Sequence, residues 1–383
     1  MIGRIAVLGA LTMALSLGFS GIARSQSGDC LTADPPPAQP GKIAFGITPG
    51  IAGSAGVGQG TAVPVDRKAE RRALERLEPR GRDLVLRLNR LFWDGGGKLI
   101  RKFAHRVDRY ARSGLESEIQ VRYHPPERKE GNLRAWARFV TKAVRRLARR
   151  PSVTAFSITN EINFPISPNT SDGSYERALE AMVRGVVVAQ RELRQLRRPN
   201  VELGFSVAWR YTPDADAKLW EDLGDLASPR FRRALDYVGL QVYPGLVWPP
   251  IEIPGRTAGD EIAEALTLIR GCYMPKAGMG SEVDLWVSEN GYPTKPAVNS
   301  EAGQAERLVS SVDAVAAHAG DLGITDYRWF NLRDNDSDGA DLFSQVGLLR
   351  DDYSPKPAFH EYRRAIRRLG RRGRSDRRGE RIG

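Results

Sequence analysis

The chain has 383 residues, 41% of them hydrophobic and 27% charged, enough to bury the core of one large domain, which excludes disorder of the whole chain. Its net charge of +12 is unevenly placed: the ten arginines from Arg363 to Arg381 face only Asp376 and Glu380, so this segment carries +8 and the rest of the chain +4. No zinc-finger spacing, phosphate-binding glycine loop or aromatic-interleaved basic motif accompanies that charge, which argues against a nucleic-acid-binding protein, and two cysteines, Cys30 and Cys272, exclude a disulfide framework or a multi-cysteine metal site.

Residues 1–25 read as a secretory signal peptide, with Arg4 as the positive region, Ile5 to Phe19 as the apolar region and small residues around Ala23 for cleavage. An uncleaved anchor is disfavoured because the apolar run falls short of the ~20 residues a membrane span needs. The expectation is an exported, extracellular monomer with no stable membrane insertion after signal removal. Residues 26–41 form a proline-rich lead-in containing Pro35, Pro36, Pro37 and Pro40.

From Lys42 a rhythm sets in of short apolar strand, Gly- or Pro-bearing loop and amphipathic helix. Strands are predicted at 42–48, 83–91, 118–124, 153–159, 202–208, 237–243, 284–288 and 326–330. Helices are predicted at 66–77, 99–113, 133–149, 175–196, 214–226, 260–270, 301–318 and 357–368. The third helix puts Trp136, Phe139, Val140, Ala143, Val144 and Leu147 on one face, so its basic residues are a solvated face. Eight such units within 42–368 predict an α/β protein, a single (β/α)8 TIM barrel. The competing doubly wound sheet lacks its glycine fingerprint after the first strand. The tail 369–383 alternates Arg with Gly and Ser and is expected to be disordered, with binding to an anionic surface or polymer as the alternative.

In a barrel, function sits at the carboxyl ends of the strands. Cys30 precedes strand one and Cys272 follows helix six, which assigns both to the opposite face; in an oxidising compartment they are expected to pair for stability, the alternative being two unrelated thiols.

The strand ends carry Arg87, Asn89 and Trp93, then His124, Asn160-Glu161, Trp209, Tyr243, Glu289-Asn290, and Trp329 with Asn331. Glu161 alone reads equally as a helix cap. Set across one mouth from Glu289, it forms a carboxyl pair of the kind glycoside cleavage requires: one acid to protonate the leaving oxygen and one carboxylate to meet the cationic centre. Four scattered histidines without a His-Glu-x-x-His pattern argue against catalytic zinc, and no cofactor is expected. Asp334-x-Asp336-x-Asp338-Gly339 copies the first half of a calcium loop, but Gln345 holds the twelfth position, so no metal site is assigned; Asp334 and Asn335 are alternative sugar ligands. Asn169-Thr170-Ser171 is a glycosylation sequon.

These residues resemble the retaining glycoside hydrolases of clan A, the (β/α)8 group that includes families 5 and 39. The resemblance rests on Ile-Thr-Asn-Glu at 158–161, Leu-Trp-Val-Ser-Glu-Asn-Gly at 285–291, Arg-Leu-Asn-Arg-Leu-Phe at 87–92 and the closing segment 347–359. It implies Glu161 as general acid/base, Glu289 as nucleophile, Asn160 on the sugar 2-hydroxyl, Arg87 (or Arg90) steadying the nucleophile, Tyr243 orienting it and Trp329 as platform under the sugar. It also implies a carbohydrate substrate; by position, Trp93, Trp209 and Trp248 in or beside the mouth loops are candidates either to stack on sugar or simply to cover the barrel, and His124 either to touch substrate or to orient a neighbour. At strand six Gln-Val-Tyr stands where several families have His-x-Tyr. The competing reading is a non-catalytic carbohydrate-binding barrel docked through its basic tail.

Overall fold

The computed structural model describes Cys30 and residues 34–49, 63–78, 84–165, 168, 170–209, 212–246, 254–295, 299–339 and 341–371. The signal segment, the tail from 372 onward, Asn169 and Trp248 lie outside the described residues.

Eight parallel strands close into a barrel in sequence order, with β1 pairing both β2 and β8. They are β1 (Ala44–Ile47), β2 (Leu84–Phe92), β3 (Glu116–Arg122), β4 (Val153–Ile158), β5 (Glu202–Ala208), β6 (Tyr237–Gln241), β7 (Asp284–Asn290) and β8 (Ile324–Trp329). The helices are α1 (Arg67–Leu77), α2 (Gly96–Ala111), α3 (Leu133–Leu147), α4 (Ala178–Gln195), α5 (Pro213–Leu226), α6 (Pro229–Arg232), α7 (Ala258–Leu268), α8 (Met274–Lys276), α9 (Glu301–Ala317) and α10 (Pro357–Leu369). The (β/α)8 barrel read from the sequence is therefore the observed fold. Among the described residues no helix is long and apolar enough to cross a membrane.

Local chemistry sets these boundaries. Asp66 caps α1 by accepting from the Lys68 and Ala69 amides, and Thr257 with Asp260 forms a reciprocal capping box on α7. The apolar stripe of α3 is buried as its spacing requires, and each large side chain so buried contributes about 1.5–3 kcal/mol relative to exposure. Several boundaries shift by a few residues from expectation, and two shifts change how elements connect. The helix after β6 does not stop at Gly271; it runs through a π turn, Ile269–Tyr273, into α8. Leu369 completes α10, and Gly370 and Arg371 pair with Ile43, so the barrel reaches 371 rather than 368.

Strand alternation sorts the layers. Outward residues such as Phe45, Tyr123, Phe205 and Tyr327 join the helices in the main core. Inward ones are largely polar: Arg87, Glu118, Gln120, Ser206, Gln241 and Arg328 are all at 1% exposure or less. Tyr237 and Trp286 stack inside at 3.6 Å, with the Arg328 guanidinium 5.1 Å from the indole. Cys30 and Cys272 form a disulfide with Cα atoms 5.8 Å apart.

Candidate active site

β4 ends at Ile158, and the following turn contains two non-glycine residues in the left-handed region, Thr159 at φ 68° and Glu161 at φ 43°. Such conformations cost on the order of 1–3 kcal/mol each, so surrounding bonds must hold them. Thr159 N donates to Val121 O at 2.8 Å, and Asn160 N donates to Asp172 Oδ2 at 3.0 Å. Asp172 also accepts from Arg122 Nε at 2.7 Å and Tyr123 N at 2.8 Å, which ties the loop to β3. Beside it, the Ser171 hydroxyl donates to Glu161 Oε2 at 2.7 Å. Glu161 is thereby aimed into the mouth while keeping partial solvent access.

Glu289 arrives by a different device. Strict alternation along β7 would put it on the outward face of Val287. Instead Leu240 pairs with Val287 but Gln241 with Glu289, a bulge at Ser288 that turns the carboxylate inward. Gly239 on β6 makes room for it, since a Cβ there would lie 2.7 Å from Ser288 Oγ. Arg87 Nε donates to Glu289 Oε1 at 3.2 Å and the Tyr243 hydroxyl to Oε2 at 2.9 Å.

The two carboxyls form one electrostatic unit with unequal surroundings. Burial, reinforced by the charge of Glu289, pushes Glu161 up from the ordinary 4.5 to about 8, against weaker opposition from Ser171, Arg122 and Arg87. Burial raises Glu289 as well, but the Arg87 charge and the Tyr243 and Arg87 hydrogen bonds oppose it directly. Glu289 therefore ionises first, and the proton stays on Glu161.

Arg87 is anchored from below. Its Nη1 donates to Glu118 Oε1 at 2.5 Å, Arg328 Nε donates to Glu118 Oε2 at 3.2 Å, and Arg328 Nη2 donates to Asp326 Oδ1 at 2.6 Å. Gly46 admits this chain of alternating charge, since a Cβ there would lie 2.3 Å from Arg328 Cδ. Removing one partner of such a buried pair costs about 3–5 kcal/mol. Above it, Asn160 Oδ1 accepts from Gln120 Nε2 at 2.5 Å and from Arg87 Nη2 at 3.4 Å, while Asn160 Nδ2 donates to Thr170 O at 2.6 Å.

The structure thus brings Arg87, Asn160, Glu161, Tyr243 and Glu289 together. Arg90 lies over Phe92 and faces Arg122 and Arg106, which leaves Arg87 as the partner of Glu289. His124 stands at the rim, Nδ1 3.1 Å from Asp94 Oδ2, its ring against Phe92 and Tyr175. Trp209 donates its backbone N–H to Gln241 O, and its ring is buried in the main core. Trp329 corrects the expectation of a sugar platform: Asp326 and Arg328 take the inward face of β8, so Trp329 points outward to Tyr362 of α10 and is 1% exposed. Phe330, not Trp329, clusters with Tyr243 and Val346. Trp93 is likewise core, stacked on Tyr123 and packed against Trp136. The Asp334 carboxylate is occupied by Lys356 Nζ and Gly347 N, both at 2.8 Å, which makes it a buried anchor for the closing loop.

Sequence reasoning missed Ser171, Asp172, Glu118, Gln120, Ser206 and Gln241. Polar residues recurring at alternate positions, as in Glu118-Ile119-Gln120-Val121-Arg122, were the available signal for a polar barrel interior.

The chain is a closed parallel (β/α)8 barrel with glutamates at the ends of β4 and β7, a fold it shares with solved glycoside hydrolases. No family model matches the sequence, and no curated protein matches it. Among solved structures, the chain is similar to a GH5_18 protein from Streptomyces cattleya in complex with GlcNAc, at 17% identity and TM-score 0.59 over 86% of this chain and 81% of that one. It is similar to a family 1 β-glucosidase from Thermotoga maritima at 13% identity and TM-score 0.59, over 88% and 100%. A family 39 glycoside hydrolase from Bacteroides cellulosilyticus WH2 matches at 14% identity and TM-score 0.55, over 86% and 64%.

Proposed function

We propose that this protein is a secreted retaining glycoside hydrolase that cleaves β-linked glycosides of an oligo- or polysaccharide by double displacement. The observation that carries this reading is the asymmetry of the pair: Glu289 is held by a cation and a phenol, and Glu161 by a hydroxyl and burial. Glycosidase neighbours on the same fold support it, and the disulfide fits an oxidising, extracellular destination.

In the first step a Glu289 oxygen attacks the anomeric carbon as the bond to the leaving oxygen breaks, and the Glu161 proton passes to that oxygen. In the second, ionised Glu161 takes a proton from water, whose oxygen attacks the same carbon and releases Glu289. The second hydrogen on Asn160 Nδ2 is assigned to the sugar 2-hydroxyl. Retention requires the carboxyl groups to stand roughly 5–5.5 Å apart.

The test is proton NMR of the first-formed anomer on a panel of aryl β-glycosides, with a 2-deoxy-2-fluoro glycoside to label the nucleophile. Retained configuration and a mass adduct on Glu289 are expected; an inverted product or a label elsewhere rejects the mechanism. A binding barrel would show no turnover to lose in Glu161→Gln or Glu289→Gln, and enzyme lacking 372–383 retains turnover if the basic tail serves only docking.

A further inference from the structure

Gln241 on β6 is 1% exposed, and its carboxamide sits at the junction of Glu161, Asn160, Ser206 and Arg87. An amide placed there has two orientations, and neither satisfies every neighbour. In the first, Nε2 donates to Asn160 Oδ1 at 2.5 Å and to Ser206 Oγ at 3.1 Å, and the amide oxygen takes the place beside Glu161 Oε1. That oxygen can only accept, so the contact is favourable when Glu161 carries a proton to donate. The mismatch in this state is Nε2 facing another donor, Arg87 Nη2.

In the second orientation Nε2 donates to Glu161 Oε1 at 2.7 Å, which requires Glu161 to accept, as its ionised form does. The amide oxygen then accepts from Arg87 Nη2 at 2.9 Å and from Ser206 Oγ at 3.1 Å. Its mismatch is with Asn160 Oδ1, 2.5 Å away and still bonded to Gln120 Nε2. Each state thus has one opposed contact, and an opposed buried polar pair costs about 1–3 kcal/mol. With one opposed contact on each side, the contact that changes sign with the protonation of Glu161 is the one to Gln241.

We infer that Gln241 is a positioning residue that turns its amide with the proton on Glu161, accepting from the acid and donating to the base. This rests on the glycosidase reading, in which Glu161 must serve in both forms, and it adds a device by which one side chain holds it in both. The other charged or titratable groups around Glu161 are Glu289 on β7, Arg87 on β2, Arg122 on β3 and Tyr243 after β6, with Ser171 as its hydroxyl donor. The Ser171 hydroxyl, which can itself donate or accept, meets Oε2, whereas Gln241 meets Oε1.

Two experiments test it. Neutron diffraction from wild-type crystals at about pH 5 and about pH 10, on either side of the Glu161 titration, locates the amide deuterons directly. They are expected beside Asn160 at low pH and beside Glu161 at high pH; one orientation at both pH values overturns the proposal, whatever the protein hydrolyses. In the second, Gln241→Met is assayed on glycosides of differing leaving-group acidity. For phenyl or alkyl leaving groups, which need the proton, kcat/KM is expected to fall about 10–100-fold. For a dinitrophenyl glycoside kcat/KM should stay within about threefold while kcat falls, because only the base step then depends on Glu161. A uniform loss across leaving groups indicates a merely structural role and rejects the inference. Absence of turnover in wild-type enzyme rejects the glycosidase reading instead.

Discussion

Arg87 reaches Glu289 with Nε at 3.2 Å while being itself wholly buried, so the cation serving the mouth is held by the barrel interior rather than by solvent. Its planar fork is shared among Glu289, Glu118 and Asn160, three directions that a lysine ammonium on a flexible stem cannot serve together. Arg87→Lys is therefore expected to lower kcat by about 10²–10³-fold with a smaller change in KM, the scale seen when one organised electrostatic contact is lost at a reacting centre. In Arg87→Met the cation that favours ionised Glu289 is gone. Its pKa rises, and the acidic limb of the kcat/KM profile moves to higher pH. An unmoved limb in a folded Arg87→Met variant would remove Arg87 from any role in setting that charge.

The proton on Glu161 has a consequence for stability. Its carboxyl is raised from the ordinary 4.5 to about 8 by burial and by Glu289. Between those values the folded state keeps a proton that the unfolded chain has released, so stability falls as pH rises through the window, and the cost is complete above about pH 8. Glutamine has the same shape and no charge to desolvate. Glu161→Gln should match wild type near about pH 4 and exceed it by about 1–3 kcal/mol near pH 9, after discounting for the partial solvent access of Glu161. Denaturant unfolding across that range checks it, and a gap independent of pH would contradict the raised value.

The barrel was legible because its strands and helices differ in period, and because the unit repeats eight times in sequence order. Reading only the strand ends then found both glutamates, Arg87 and Tyr243. The misplaced tryptophans share one physical cause, the assumption that an aromatic residue at a strand end faces the mouth. On β8 the inward positions belong to Asp326 and Arg328, and Trp329 goes outward; the bulge that turns Glu289 inward has no sequence marker at Ser288. Gln241 was noted only for not being histidine, since its meaning depends on neighbours contributed by β2, β4 and β5.

Trp329 offers a direct check on that correction. Its ring packs beside Tyr362 in the core, so its loss should be felt in folding rather than in substrate affinity. Trp329→Phe is expected to cost about 1–3 kcal/mol of stability through the volume removed. KM should stay within about twofold, since uniform substrate binding does not involve a side chain that never meets the mouth. A variant of unchanged stability with a strongly raised KM would restore the platform role.

The disulfide closes the chain across 242 residues, joining the segment before β1 to the π turn that follows α7. That turn leads into β7, at the amino-terminal end of the strands, opposite Glu161 and Glu289. A crosslink over so long a loop restricts the unfolded chain strongly, and native bridges of this kind contribute about 2–4 kcal/mol. The double variant Cys30→Ser, Cys272→Ser should therefore unfold at lower denaturant, with the same midpoint that wild type shows under reducing conditions. Because the bridge lies at the amino-terminal end of the strands, opposite Glu161 and Glu289, kcat and KM at temperatures below the transition should be unchanged. A fall in kcat without loss of stability would place Cys272 and the π turn in communication with β7, and would refute the assignment of the bridge to stability alone.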